Sequence, residues 1–187
     1  RSENKPESDV SVVEETWWHK LINENYANLL LNSSYSGTTI CHTGYEGNDY
    51  KEISFVARTE KLVEKGFFKE NCVETILVFG GTNDYWAGAP LGEIQYSGWE
   101  TDNLYKVFPA TCYLFNKLKE VAPNVKIVKI INDGLGDEIT IGLAQIAEHY
   151  GATVVNLKNI DKVAGHPTVL GMEQITGQVT EVLNKNF

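Results

Sequence analysis

The sequence lacks the features that mark several classes of protein. It contains no run of Lys or Arg, and its formal net charge of −9 disfavours a nucleic-acid partner, which would need a clustered basic surface. No apolar stretch reaches the length of a bilayer span, so the sequence predicts no transmembrane segment. The three cysteines, Cys41, Cys72 and Cys112, are an odd number at wide spacings. They therefore predict neither a disulfide framework nor a zinc site.

The sequence also lacks an initiating methionine. Its first residue is Arg1, and its only methionine is Met172. We therefore expect that an N-terminal segment was processed away or is not included in this sequence. A removed export signal would account for this start and would place the protein in the periplasm or outside the cell, although no signal peptide is visible.

What the sequence does contain is typical of one compact α/β domain over residues 1–187. Hydrophobic residues make up 42% of the chain, and four Trp, nine Tyr and seven Phe argue against disorder. Apolar periodicity predicts helices at 14–32, 53–64, 103–120, 138–150 and 171–184, and strands within 32–39 and at 75–79, 126–132 and 153–157. This alternation predicts a doubly wound parallel sheet between helical layers.

One strand end carries the first candidate site. The apolar run 75–79 stops at Gly80 and Gly81, which are followed by Asn83 and Asp84. The glycines allow a sharp turn or a close approach of the backbone to a bound group. Because open α/β sheets bind ligands beyond the carboxyl ends of their strands, this turn is a candidate ligand site, although the same residues also favour an ordinary turn.

His166 is the second candidate. It follows the last predicted strand, which places it at the same sheet edge as Asn83, and it lies between Gly165 and Pro167. A lone histidine is more often structural than catalytic. Its position in a constrained loop at this edge nevertheless favours a role as a general base.

Three segments together resemble the SGNH hydrolases, also called GDSL esterases and lipases. They occur in the family's order across nearly the whole chain: Ser36-Gly37, Gly81-Thr82-Asn83-Asp84, and Gly165-His166-Pro167 with Gly171-Met172. The resemblance implies a three-layer α/β/α flavodoxin-like fold with a parallel sheet. It also implies a serine esterase that needs no metal and no cofactor.

The resemblance assigns roles to individual residues. Gly37 would contribute its backbone N–H, and Asn83 its side-chain amide, to the oxyanion hole. His166 would take the proton of the nucleophile and return it to the leaving group.

Two features depart from the family pattern. No Gly-Asp-Ser motif occurs in the chain, so we expect the first strand and the turn bearing the nucleophilic serine to lie upstream of Arg1. Family members commonly place Asp three residues before the His, where this chain has Val163; the nearest carboxylate is Asp161. Either Asp161 or a backbone carbonyl would orient His166.

Residues within the chain are weaker candidates for the nucleophile. They are Ser34, Ser36 and Cys41, which is next to His42. A thiol is chemically the best nucleophile at neutral pH, but nothing in the sequence indicates that Cys41 is activated.

The expected substrate is a small acyl ester, with an acetyl group on a carbohydrate as the more specific hypothesis. That hypothesis depends on Tyr85, Trp86 and Trp99 in the predicted long loop 85–99, whose rings could stack on sugars or could pack in the core or a lid. The alternative is a binding module of this fold that lacks a nucleophile. A nucleotide-binding protein using Gly80-Gly81 is less well supported, because no Gly-x-Gly-x-x-Gly or Walker loop occurs. The sequence leaves the oligomeric state open.

Overall fold

The computed structural model describes residues 8–25 and 27–186. Their regular elements, in chain order, are α1 (Trp17–Asn25), α2 (Phe55–Glu64), α3 (Phe67–Glu70), β1 (Thr75–Phe79), α4 (Thr82–Trp86), α5 (Val107–Val121), β2 (Lys126–Ile131), α6 (Asp137–His149), β3 (Thr153–Asn156), β4 (Lys162–Val163), β5 (His166–Pro167) and α7 (Val169–Asn186). Short 3-10 helices occur at Val13–Glu15, Tyr45–Gly47 and Thr101–Tyr105. The elements form two compact units. We call residues 33–156 the sheet unit, and residues 8–25, 27–32 and 157–186 the terminal unit.

The sheet unit contains a parallel sheet with the strand order β1-β2-β3. Leu77 of β1 pairs with Val128 of β2, and Ile130 of β2 pairs with Val155 of β3. Largely apolar, β-branched runs of four to six residues form such strands because both faces of a parallel sheet are covered. The predicted α/β fold with a parallel sheet is confirmed, and the strand expected at 75–79 has these bounds.

Helices cover this sheet and complete its core. Helix α6 packs on β2 and β3, and α5 packs against α2 and α6. Phe115, Leu143 and Ile146 on these helices are fully buried. Each such side chain stabilises the fold by about 1.5–3 kcal/mol relative to leaving it in water.

The terminal unit is held by α1 and α7, which pack against each other. The ammonium group of Lys20 lies 3.2 Å from the carboxylate of Glu173, and the Thr176 hydroxyl donates to the Trp17 carbonyl at 3.1 Å. None of the helices formed by residues 8–25 and 27–186 is long and apolar enough to cross a membrane.

Two predicted elements are wrong in part. The helix predicted over 14–32 is confined to α1; Tyr26 lies outside the described residues, and 27–32 are not helical. Leu29, Leu30 and Leu31 are 44–51% exposed, so no packed face stabilises a longer helix. The strand predicted within 32–39 is also absent from the described residues, because Gly37 adopts a φ of +74° and turns the chain.

The middle of the chain differs from the prediction in detail. The helix predicted over 103–120 is divided at Lys106, whose backbone is extended, and α5 starts at Val107. Pro109 therefore lies in the first helical turn, where its missing N–H removes no hydrogen bond. The first two residues of the predicted loop 85–99, Tyr85 and Trp86, instead belong to the short helix α4.

Candidate active site

The turn around Gly37 forms one side of the candidate site. The Tyr35 carbonyl accepts hydrogen bonds from the backbone N–H of Thr38 at 3.4 Å and from its hydroxyl at 2.8 Å. Gly37 occupies the third position of this turn with a φ of +74°, which favours glycine. A Cβ at this position would meet no atom within 4 Å, so the requirement is conformational rather than steric.

The Gly37 N–H is available to a ligand. Among the hydrogen bonds within residues 8–25 and 27–186, none has this N–H as its donor. Gly37 is also partly exposed. An N–H that is held by a turn and has no acceptor among the described residues is suited to receive a developing negative charge on oxygen.

The turn after β1 forms the other side. A Cβ at Gly80 would lie 2.6 Å from the Phe55 ring, and one at Gly81 would lie 2.7 Å from the Leu143 side chain. Gly81 also has a φ of +107° and is the N-cap residue of α4. Both glycines are therefore needed for the backbone to turn closely past its neighbours, which brings Asn83 into the first turn of α4.

Two hydrogen bonds fix the Asn83 side chain. Its Nδ2 donates to the Thr38 carbonyl at 2.9 Å, and its Oδ1 accepts from the Tyr45 hydroxyl at 2.8 Å. Burial raises the pKa of Tyr45, so its hydroxyl remains a protonated donor at neutral pH. Because Nδ2 carries two hydrogens and Thr38 accepts one, the other is left for a ligand.

The structure thus brings Gly37 and Asn83 together in the sheet unit. Thr38 follows Gly37 directly and also accepts the hydrogen bond from Asn83, so one residue connects the two predicted donors. Sequence reasoning missed Tyr45, the second partner of Asn83. Its only local signal is its position between Gly44 and Gly47, in a segment where Glu46 adopts a φ of +57°.

A buried pair of opposite charges, Asp84 and Lys129, holds the segments that carry these donors. Asp84 was predicted to lie at the candidate ligand site, where the structure instead buries it, and Lys129 was missed. Asp84 and Lys129 are both 0% exposed. The Asp84 carboxylate accepts hydrogen bonds from the backbone N–H groups of Ile40 at 3.0 Å and of Cys41 at 3.2 Å. The Lys129 Nζ, on β2, donates to the Gly80 carbonyl at 2.6 Å.

Burial shifts the ionisation of both groups. It raises the pKa of the Asp84 carboxyl, while the hydrogen bonds from Ile40 and Cys41 and the charge of Lys129 act in the opposite direction. It lowers the pKa of Lys129 to about 7, and the charge of Asp84 limits that decrease. Each group therefore makes the charged form of the other less costly.

Cys41, the one thiol among the candidate nucleophiles, is not activated. Cys41 is fully buried, and burial together with the nearby charge of Asp84 raises the pKa of its thiol far above the ordinary range. The neighbouring His42 contacts Ser54, with 2.9 Å between Nδ1 and the hydroxyl oxygen, but both residues are buried. The Ser54 hydroxyl also accepts from the Ala57 N–H as the cap of α2, which is a structural role. Ser34 and Ser36 are exposed.

His166 and Asp161 lie in the terminal unit. His166 is part of a hairpin rather than the predicted loop, because β4 and β5 pair with Val163 opposite His166. Ala164 and Gly165 turn this hairpin with φ values of +48° and +83°, as a two-residue turn requires. The position three residues before His166 is therefore its cross-strand neighbour.

Asp161 is bound to the start of α7. The Thr168 hydroxyl donates to its carboxylate, the Thr168 N–H donates to its carbonyl at 3.0 Å, and its own N–H donates to Gln174 at 2.7 Å. A Cβ at Gly171 would overlap with the Asp161 carbonyl, which explains this glycine. The four predicted site residues thus form two groups, Gly37 with Asn83 and His166 with Asp161, one in each unit.

The aromatic residues of the predicted loop have different environments. Tyr85 and Trp86 are 45% and 41% exposed, whereas Trp99 donates its ring N–H to the Gln95 carbonyl at 2.7 Å and packs edge-to-face on Tyr113. Trp99 is therefore a packing residue. Among residues 8–25 and 27–186, no group of three or more His, Cys, Asp or Glu side chains is placed to hold a metal ion.

Open α/β sheets bind ligands beyond the carboxyl ends of their strands, and fixed hydrogen-bond donors at such a position can stabilise negative charge on oxygen. The comparison with known proteins specifies the class. Residues 1–183 match the family described as GDSL-like Lipase/Acylhydrolase, so the chain belongs to this family. Its chemistry is the hydrolysis of carboxylic esters.

Solved structures agree with this assignment. A protein of Bacteroides uniformis ATCC 8492 assigned to the GDSL-like lipases shares 45% identity at a TM-score of 0.89; the match covers 99% of this chain and 83% of that one. A second, from Bacteroides ovatus ATCC 8483, shares 42% identity at a TM-score of 0.89, with 99% and 85% covered. A carbohydrate esterase shares 13% identity at a TM-score of 0.63, with 98% and 64% covered, which shows a common fold alone. No curated protein matches the chain.

Proposed function

We propose that this protein is a serine esterase of the SGNH type that hydrolyses a small acyl ester. The observation that carries the proposal is the joint placement of Gly37 and Asn83. The backbone N–H of Gly37 and the second Nδ2 hydrogen of Asn83 are both available, and Thr38 connects the two residues. Two such donors would stabilise the oxyanion of a tetrahedral intermediate by about 3 kcal/mol each.

The remaining roles follow from the family resemblance. His166 acts as the general base toward the serine and as the general acid toward the leaving group. Either Asp161 or a backbone carbonyl orients its ring; the bond from Thr168 to Asp161 favours the carbonyl, because it already occupies part of the carboxylate. The nucleophile is not assigned to Cys41 or Ser54, which are buried.

The more specific proposal is that the ester is an acetyl group on a carbohydrate. Trp86 lies three residues after Asn83 on α4, so both side chains are on the same helical face. An exposed indole beside an oxyanion donor offers an apolar plane on which a sugar ring can stack. Tyr85 lies on a different face, and its ring borders Gly136, so Trp86 is the better candidate.

The test is the hydrolysis of p-nitrophenyl acetate by the 187-residue chain and by a form extended upstream of Arg1. Each is measured with His166→Ala and Asn83→Ala, and His19→Ala serves as a control in the terminal unit. We expect the extended form to be active, Asn83→Ala to reduce kcat about 10²- to 10³-fold, and His19→Ala to match the parent. Equal rates for the extended form and its His166→Ala variant would exclude the mechanism.

The same preparations test the alternative and the substrate. If neither form hydrolyses the ester but both bind an acetylated oligosaccharide, the protein is a binding module rather than an esterase. If the enzyme is active, Trp86→Ala is expected to raise KM for acetylated xylo-oligosaccharides severalfold and to leave p-nitrophenyl acetate unaffected. An equal effect on both substrates would contradict the carbohydrate proposal.

A further inference from the structure

Lys129 is an unusual residue for its position. It lies in the middle of the central strand β2, paired with Val78 on one side and Val154 on the other, and its side chain is fully buried. A buried charge is costly even when it is paired, and an apolar side chain of similar volume is often as stable or more so. Stability therefore does not explain why a lysine occupies this position.

The hydrogen bond of Lys129 is made at the point where the chain leaves the sheet. Its acceptor, the Gly80 carbonyl, belongs to the first residue after β1 and is followed directly by Gly81, with its φ of +107°. The donor–acceptor distance of 2.6 Å is that of a strong, charge-assisted bond. This bond fixes the peptide plane from which the chain turns toward Asn83.

Asp84, the residue after Asn83, holds a second segment. Its carboxylate holds the N–H groups of Ile40 and Cys41, and these residues follow the Gly37 turn. Lys129 and Asp84 therefore hold the two segments that carry the donors, one through Gly80 and the other through Ile40. Since an oxyanion donor acts only when it is placed to within a fraction of an ångström, small movements of either segment would slow the reaction.

We propose that Lys129, acting together with Asp84, is a positioning residue of the oxyanion hole. It holds the Gly80 turn so that Asn83 and Gly37 donate hydrogen bonds to the same substrate oxygen. This inference rests on the proposed esterase function. Lys129 itself touches neither substrate nor nucleophile in this role. Its loss should therefore reduce kcat and leave KM nearly unchanged.

The experiment uses the form of the protein that hydrolyses p-nitrophenyl acetate, at pH 6, where Lys129 is mostly protonated. Lys129→Met keeps the volume and removes both charge and donor, and Lys129→Gln removes the charge but keeps a donor for Gly80. Lys126→Met is the matched control, because Lys126 lies on the same strand and is exposed. We expect Lys129→Met to lower kcat about 10- to 100-fold with KM within about twofold, Lys129→Gln to recover part of the loss, and Lys126→Met to match the parent.

A double-mutant cycle with Asp84→Asn supplies the second readout. If the two charges act as a pair, the loss in kcat for the double variant is smaller than the product of the two single losses. Independent, multiplicative losses, or unchanged kcat in a folded Lys129→Met, would overturn the proposal. Failure of Lys129→Gln to fold would also overturn it, since Lys129 would then be a structural residue.

Comparing the parent with Asn83→Ala distinguishes failure of the proposed esterase function from failure of the positioning role of Lys129. If Asn83→Ala retains full activity, the proposed function itself fails. If Asn83→Ala loses activity but Lys129→Met does not, only the positioning role of Lys129 fails.

Discussion

The stability of this protein should depend on pH through Lys129, in a direction opposite to that of most buried ion pairs. Burial lowers the pKa of Lys129 from its ordinary value of 10.5 to about 7. Below pH 7 both the folded and the unfolded chain carry the proton, and the full cost of burying the cation is present. Between pH 7 and 10.5 the folded protein loses the proton while the unfolded chain keeps it, so the unfolded state binds more protons and stability rises with pH.

The magnitude follows from the same shift. A fully linked proton changes the free energy of unfolding by about 1.4 kcal/mol per pH unit. Since Lys129 is still half protonated in the folded protein at pH 7, the free energy of unfolding rises by about 2 kcal/mol between pH 7 and 9. If the free energy of unfolding falls by about 2 kcal/mol per molar urea, the midpoint of unfolding would move by about 1 M. Lys129→Met has no proton to lose at this position, so its curve lacks this rise.

The measurement is urea unfolding followed by circular dichroism at several pH values from 6 to 9.5, for the parent and Lys129→Met. The difference between the two proteins isolates Lys129, because other groups that titrate in this range are common to both. Among these, the buried thiol of Cys112 has its pKa raised to about 11, which lowers stability as pH rises through the range of an ordinary thiol. Parallel curves for the two proteins would refute the reasoning.

Three further predictions use other parts of the sheet unit. Gly37→Ala keeps the backbone N–H but disfavours the positive φ that orients it. It should therefore cost about 1–2 kcal/mol of stability and also reduce esterase activity, whereas the control Gly151→Ala, at φ +67° and equally free of neighbours, should lose similar stability but no activity. Chemical denaturation and p-nitrophenyl acetate kinetics check this, and equal activities would show that the orientation of this N–H does not depend on glycine. Tyr45→Phe removes the hydroxyl that holds Asn83, so we expect a loss of about 1 kcal/mol in transition-state stabilisation, seen as a roughly fivefold lower kcat/KM; unchanged kinetics would show that Thr38 alone fixes Asn83. Thiol titration should modify Cys72 alone in the native protein, because Cys41 and Cys112 are buried with raised pKa values, and rapid modification of either would contradict their placement.

The elements that the sequence predicted well are those whose signal is local. In these elements a regular spacing of apolar residues occurs together with nearby caps or turns, so neighbouring residues determine the structure. They are the strand at 75–79 and the helices α2, α6 and α7. Helix α1 was predicted too long because Leu29, Leu30 and Leu31 continue the apolar pattern in the sequence but remain exposed in the structure. Whether an apolar face becomes buried depends on residues far away in the chain.

The candidate site divides in the same way. Asn83 and Gly37 could be predicted because glycines and short polar residues at a strand end mark a turn, and the family resemblance assigned their roles. Tyr45 and Lys129 could not, because each acts on a residue more than thirty positions away, through a hydrogen bond that no local pattern records. In the sequence, Lys129 is simply a charged residue in an otherwise apolar strand.

The hairpin that carries His166 limits how this part of the chain can vary. Side chains alternate between the two faces of a strand, so an insertion or deletion in the Ala164-Gly165 turn that shifts the pairing of β4 and β5 by one residue would reverse the direction of the imidazole. Substitutions that keep both turn residues at positive φ, such as Asn-Gly, would leave that direction unchanged. In a designed library this segment should therefore accept changes of residue type but not of length.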